Sequence, residues 1–333
     1  MKLEGSSVLV TGGAGFIGTH VVSLLHERNC TVRVLELPDA DVDHLRNCEI
    51  VRMDIRDRDG VMKAAEGCDI VIHLAANPNL WARDSRDFEA VNHQGTRNVL
   101  DAAARAKAGR TIYVSTESIL TPRRKTEVIS ESVKTQLSDM IGPYCRSKWL
   151  AEQAAFESAA NGQDVVIVRP SVPIGPGDRK QGPLTRMMND FKEGRVKGWM
   201  PGDINLIDVR DVADGIIASI EHGESGEAYL LVNENWTIRA LLNFLGEVHD
   251  RRPPRFKVPY SVALGFAYLE EANCRLRRNG HVPMATVTGI KLTRRCFRFD
   301  GKLSREKLGI GTMRSCRDAI REMSASASNE IRD

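Results

Sequence analysis

The segment Val8-Leu9-Val10-Thr11-Gly12-Gly13-Ala14-Gly15-Phe16-Ile17-Gly18 constrains this chain more than any other. A β-branched run passes into three glycines at Gly-x-x-Gly-x-x-Gly spacing and then into a helical pattern. Gly12 permits a tight turn, Gly15 lets backbone approach a pyrophosphate, and Gly18 lets the helix lie close on the strand. The first helical residues, Phe16 and Ile17, then present unpaired N–H groups to phosphate oxygens. About twenty residues on, the second strand candidate ends in Glu36, placed to accept hydrogen bonds from the ribose hydroxyls of an adenosine and to repel a 2′-phosphate. The expectation is NAD rather than its 2′-phosphorylated form. Arg33 falls on the opposite face by strand alternation.

The rest of the first half fits that start. Strand candidates Val8–Thr11, Thr31–Leu35, Glu49–Met53, Ile70–Leu74, Thr111–Ser115 and Val165–Val168 alternate with helical stretches, clearest at Ile17–Glu27, Phe88–Ala106 and Tyr144–Ala160. This pattern predicts an α/β fold, a Rossmann doubly wound parallel sheet, followed by a smaller mixed C-terminal substrate-binding region. The expected boundaries are 1–170 for the cofactor domain, 171–203 and 233–323 for the substrate cap, and 324–333 for a small, polar, disordered tail. Residues 204–232, a strand at Asn205–Ile207 and a helix at Val209–Glu221, are expected to return to the sheet. Asp54 and Ile55 after the third strand, and Leu74, Ala75 and Ala76 closing the fourth, lie where adenosine and cofactor backbone would pass.

A second constellation carries chemistry. Thr111–Ser118 ends a strand in the hydroxyls Ser115, Thr116 and Ser118 with Glu117 between them, and Tyr144 and Lys148 follow on a helix at i, i+4 spacing, sharing one face. An ammonium beside a phenol favours phenolate, lowering the tyrosine pKa toward neutrality. Such a phenol can exchange a proton with a carbinol oxygen while hydride moves to or from nicotinamide. Thr116 would orient the same oxygen, and Lys148 would also hold the nicotinamide ribose. Asn77 and Trp81 follow the fourth strand at its carboxyl end, where ligands sit in open α/β sheets. His73 reads as a hydrogen-bonded core histidine.

Together these pieces resemble the extended short-chain dehydrogenase/reductase (NAD-dependent epimerase/dehydratase) family over nearly the whole chain. The matching segments are TGGAGFIG, Asp54-Ile55, His73–Ala76, NHQGTRNVLDAA from Asn92, Val114–Thr116, Tyr144–Lys148 and RPSVPIGPGD from Arg169. The resemblance implies Tyr144 as acid/base, Lys148 as its tuner, Thr116 as hydroxyl partner, Asn92 and Ser115 at the cofactor, and Pro170 beside the nicotinamide with Ser171 next to the substrate. The C-terminal half is similar to the branch holding 3β-hydroxysteroid dehydrogenases, dihydroflavonol reductases and hopanoid-associated sugar epimerases. Ser171 and Pro173-Ile174-Gly175 stand where nucleotide-sugar enzymes of the family show Asn and Val-Tyr-Gly, and Glu117-Ser118 where sugar dehydratases keep Asp-Glu. The first departure argues against a nucleotide-sugar substrate, and the second favours hydride transfer on a secondary alcohol or ketone over elimination. Sugar epimerisation by transient oxidation stays the alternative, and a cofactor sensor without chemistry is a third reading, weakened by the intact Tyr144 and Lys148. The resemblance also implies a homodimer formed through helices including Tyr144–Ala160.

Bulk properties narrow the classes. A net charge of +3 over 333 residues argues against a nucleic-acid partner, and no apolar run is long enough to span a bilayer. The seven cysteines (30, 48, 68, 145, 274, 296 and 316) form no Cys-x-x-Cys pair, as in a reduced, cytoplasmic protein, and no residue cluster has metal-ligand spacing. Arg251–Arg298 is markedly basic, best read as a solvated surface. The helix Tyr260–Leu276 carries an apolar stripe (Val262, Ala263, Phe266, Leu269, Ala272) expected to pack on the cap.

Overall fold

A computed structural model describes residues 3–122, 128–277, 282–295 and 297–329. Cys296, Arg278 and the last four residues of the expected tail lie outside them. Five strands build the first half: β1 (Ser7–Thr11), β2 (Thr31–Glu36), β3 (Cys48–Arg52), β4 (Ile70–His73) and β5 (Arg110–Val114). After them come β6 (Val165–Pro170), β7 (Val172–Ile174), β8 (Gly198–Trp199), β9 (Asp203–Asp208), β10 (Ala228–Leu231) and β11 (Glu234–Thr237). Seven of these form one parallel sheet in the order β10-β6-β5-β4-β1-β2-β3. In its middle Val10 pairs with Val34 on one side and Ile72 on the other.

The runs Val8–Val10, Ile70–Ile72 and Val165–Val168 are apolar without alternation because helices cover both faces, leaving each of these residues buried. The helices Phe16–Glu27 and Val209–His222 close one face, through Val21, Leu25, Ile216 and Ile220. Those at Arg58–Ala65 and Thr96–Ala106 close the other, through Val61, Ala65, Val99 and Ala103. Such doubly covered sheets bury apolar area worth about 25 cal/mol per Å². A second core, centred on Phe191, Leu206, Trp236 and Leu245, lies under the C-terminal half.

Four expectations are corrected. The strand at Asn205–Ile207 does not rejoin the large sheet; β9 lies in a three-stranded sheet between β7, parallel, and β11, antiparallel. β10 joins the large sheet instead, beside β6. The helix expected over Phe88–Ala106 is interrupted by a π-helical stretch, Glu89–Gly95, where Thr96 Oγ1 donates to the Asn92 carbonyl at 2.6 Å. The helix Cys316–Asn329 runs into the segment read as a disordered tail. Finally, of the stripe on Tyr260–Leu276 only Ala263 is buried, while Val262, Phe266, Leu269 and Ala272 face solvent.

Candidate active site

All seven strands of the large sheet run the same way, so their carboxyl ends share one rim, and the strand order reverses between β1 and β4, the position at which open α/β sheets bind ligands. Gly12 turns the chain out of β1 with φ 74°, the left-handed region, and a Cβ there would stand 2.8 Å from the Ala75 amide nitrogen. A Cβ on Gly18 would collide with the Gly12 carbonyl. Gly15 precedes the first helical residues Phe16 and Ile17, so the open N–H groups of that helix face the rim. Leu74 N–H donates to the Thr11 carbonyl at 3.1 Å and Ala75 N–H to Thr11 Oγ1 at 3.2 Å, which seats Leu74–Ala76 directly beside the glycine turn.

At the adenosine end Glu36 is buried at 6% exposure, and its Oε2 accepts from the Ala14 N–H of the glycine turn at 3.1 Å. Its other oxygen lies 3.9 Å from the Lys180 ammonium. Lys180 was not singled out from sequence; the signal was the Pro176-Gly177 turn that brings a basic pair back, with His20 Nε2 bonded to the Pro176 carbonyl at 3.0 Å. Arg33 is engaged on the far face with Glu49 at 2.8 Å. The Asp54 carboxylate is taken by Arg56 at 2.6 Å, which holds its pKa low, and Ile55 is buried with its carbonyl accepting from Asn98 at 2.9 Å.

At the catalytic end Thr116 Oγ1 donates to Glu117 Oε2 at 2.9 Å and lies 3.1 Å from Ser118 Oγ. Glu117 is 4% exposed, and burial lifts its pKa to about 7. Tyr144 stands on the helix Gly142–Ala160 against the Phe88 ring, 6.3 Å between centroids. Its phenol is pushed above its ordinary pKa by burial and by the Glu117 charge, while the nearby Thr116 hydroxyl acts against both.

The phenol's shift thus runs upward, and Lys148 is not among its causes. The Lys148 ammonium donates to the Val114 carbonyl at 2.8 Å and sits 4.7 Å from the Tyr113 ring centroid, and burial lowers its own pKa to about 7.

Asn92 does something other than expected, while His73 is the hydrogen-bonded core histidine the sequence suggests. Asn92, on the π-helical stretch, is buried with its amide spent on protein: Oδ1 accepts from Asn77 N–H at 2.7 Å, and Nδ2 donates to Ser147 Oγ at 3.0 Å and to the Asn77 carbonyl at 3.2 Å. It braces the loop after β4 against the helix of Tyr144 rather than facing the crevice. His73 bonds Thr11 Oγ1 at 2.7 Å and Thr96 Oγ1 at 2.9 Å, and burial holds its pKa near 3, as befits a core histidine.

Open polar groups mark where a ligand fits. Ser171 Oγ, beyond Pro170, and Trp81 Nε1 are buried without partners, and Ser115 is buried beside the Tyr113 hydroxyl. An unmade hydrogen bond costs about 1–3 kcal/mol, so such atoms suit polar groups of a bound molecule. With the glycine cradle and Glu36, the rim fits NAD.

The site and fold define a dinucleotide-dependent Rossmann enzyme. Residues 8–233 match the model of the NAD dependent epimerase/dehydratase family, and the chain belongs to that family. It is an NAD-dependent enzyme of the oxidoreductase type. A protein of Synechocystis sp. provisionally named dihydroflavonol 4-reductase is 34% identical, with 90% of this chain and 89% of that one covered. Sterol demethylase protein B of Methylococcus capsulatus is 29% identical over 91% of this chain and 93% of its own. The crystal structure of the protein gox2253 superposes with a TM-score of 0.85 at 30% identity, covering 98% of both chains.

Proposed function

We propose that this enzyme interconverts a secondary alcohol and a ketone on a largely apolar small molecule, with Tyr144 exchanging the proton at the substrate oxygen. The observation that carries the reading is the meeting of the Tyr144 phenol with the Thr116–Glu117–Ser118 cluster at the rim where the glycine turn opens. NAD, when bound, supplies the hydride acceptor or donor. Tyr144, protonated at neutral pH, is set to give its proton to an oxygen gaining negative charge, the reducing direction. Thr116 holds that oxygen in line. Lys148, aimed along β5 at the Val114 carbonyl, is placed to hold a ribose hydroxyl. Ser171, Trp81, Asn77 and Ser118 border the substrate.

The relatives named above, together with cinnamoyl-CoA reductase 2 of Arabidopsis thaliana, carry names pointing to aromatic or isoprenoid compounds, which supports an apolar substrate. We further place the protein in the cytoplasm, its six described cysteines being free, and assign it a homodimer through the helix Gly142–Ala160. The test is turnover of a panel of aromatic and isoprenoid ketones and alcohols with NADH or NAD. Net change in NADH with at least one of them supports the reading. Conversion at catalytic NAD with no net NADH change would instead establish epimerisation.

A further inference from the structure

The helix Tyr260–Leu276 is turned inside out. Toward the protein it buries Ala263, Ala267, Glu271 and Cys274, two of them alanines and one a carboxylate. Toward solvent it presents Val262 at 58% exposure, Phe266 at 45%, Leu269 at 72% and Leu276 at 83%. At about 100° per residue these four fall within a quarter-turn of one another, and no charged residue lies inside that stripe. A water-facing helix has the opposite arrangement. The stripe is also not isolated: of the eleven large apolar side chains exposed among the described residues, eight lie between Phe256 and Met284. A patch of that kind on a protein surface marks an interaction site.

Charge says what covers it. Along the helix the Arg294 guanidinium stands 4.7 Å from the Tyr260 ring centroid and the Lys291 ammonium 6.0 Å from that of Tyr268, with Arg275 and Arg277 at the carboxyl end. The two acids of the segment are occupied within the protein. Glu271 is buried, accepting from Val287 N–H at 2.7 Å and pairing with Arg275 at 3.3 Å, and Glu270 accepts from Met284 N–H at 3.3 Å. Among the described residues from 256 to 295, six Lys and Arg stand against two Glu, so a second copy on this face would bring net positive charge to net positive charge. An anionic bilayer surface supplies both an apolar interior for the stripe and phosphate charge for its flanks.

We propose that Tyr260–Leu276 lies in the plane of an anionic membrane, its Val262–Phe266–Leu269–Leu276 stripe sunk among the acyl chains and the flanking cations on the headgroups. With 17 residues it is about 25 Å long, and no helix among the described residues is long and apolar enough to cross a membrane, so the contact is peripheral. Arg83 ties the helix to the loop bearing Asn77 and Trp81, donating to the carbonyls of Cys274 at 3.3 Å and Arg277 at 2.5 Å. The docked face thus adjoins the site, though the proposal stands apart from any substrate.

Co-sedimentation with vesicles decides it, using phosphatidylcholine alone and phosphatidylcholine mixed with phosphatidylglycerol. The full chain should bind the anionic vesicles more tightly than the neutral ones, and lose that excess in high salt. Leu269→Gln/Leu276→Gln should weaken binding to both by at least about tenfold, with NAD affinity and melting temperature unchanged. Arg277→Gln/Lys291→Gln should weaken binding to the anionic vesicles alone, a test that survives if the leucine variant misfolds. Binding to neither vesicle, or equal binding by parent and both variants, overturns the proposal. So does a dimer in sedimentation equilibrium that the leucine substitutions convert to monomer without vesicle binding, which would assign the face to a second copy.

Discussion

The Thr116 hydroxyl donates its proton to the Glu117 carboxylate at 2.9 Å, so the residue proposed to orient the substrate oxygen spends its donor on a buried acid. While Glu117 is ionised, Thr116 can only accept a hydrogen bond from the crevice. Once Glu117 takes up a proton, Thr116 is free to donate to a carbonyl oxygen. The same charge also raises the phenol of Tyr144. One buried carboxyl therefore governs both hydroxyls of the site.

That coupling sets a pH dependence. Burial places the Glu117 pKa at about 7, so ketone reduction is expected to fall as pH rises through that value. Glu117→Gln keeps an oxygen acceptor but cannot ionise, and its kcat/KM profile for reduction should lose the limb near 7. A limb that persists unchanged in the variant would show that Glu117 does not control the donors.

The same group bears on stability, with a definite sign. Its folded pKa is raised from 4.5 to about 7, so the native state binds the proton more tightly than the unfolded chain does. Stability is therefore highest below about pH 4.5 as far as this group is concerned, and is lost as pH rises through 7, by at most about 3 kcal/mol. Glu117→Gln should melt higher than the parent at pH 8, with the difference shrinking toward pH 5. Thermal melts across that range check it; a difference constant with pH would count against a buried titrating acid.

Tyr144→Phe keeps the ring against Phe88 and removes the proton. Turnover is expected to drop by about 10²–10⁴-fold, the usual contribution of a positioned acid or base, with NAD affinity within about twofold of the parent. Steady-state rates together with NAD titration separate the two effects, and a phenylalanine variant with full activity would remove Tyr144 from the chemistry.

The cofactor half was legible in sequence because backbone geometry dictates residue type there. Only glycine tolerates the turn at Gly12, and only apolar runs survive in strands buried on both faces. Thr116 as partner of Tyr144 is legible through the family resemblance, and the part of Glu117 beside them is not legible at all. What sequence could not give were properties of surroundings. Tyr144 and Lys148 sit at the expected spacing, but burial and Glu117 shift the phenol, and burial opposed by Glu152 shifts the ammonium, none of which periodicity encodes. Asn92 belongs to a matching segment, yet a π-helical turn aims its amide at Asn77 and Ser147. The outward stripe on Tyr260–Leu276 has a helical period whichever way it faces, so only packing reveals its direction.

Glu36 tests the adenosine end. Its carboxylate both accepts from Ala14 N–H and lies near Lys180, fixing the glycine turn and a surface loop on one acid. Glu36→Ala should weaken NAD binding by about tenfold, the worth of one lost charge-assisted hydrogen bond, and narrow the preference over the 2′-phosphorylated cofactor because Lys180 is left uncompensated. Calorimetric titration with both dinucleotides reads this directly. Equal affinities in parent and variant would place the ribose elsewhere.

The deepest ion pair among the described residues lies behind the site. Arg169, on β6, donates to Glu152 through Nε at 2.9 Å and Nη2 at 2.7 Å, with side-chain exposures of 8% and 3%. Glu152 is also the opposite charge that supports the Lys148 ammonium against burial. Removing one partner leaves the other charge buried and unpaired, so Glu152→Ala should cost about 3–5 kcal/mol of unfolding free energy, measurable by denaturant titration. Replacing both by apolar residues, Glu152→Leu with Arg169→Met, should recover most of that loss, since the desolvation cost of the pair disappears with it. Lys148 distinguishes the two variants from a purely structural effect: without Glu152 its pKa falls further, and any pH limb of cofactor binding that depends on its ammonium should shift to lower pH in both. A stable double variant with that limb unmoved would separate the pair from Lys148 and confine it to the core.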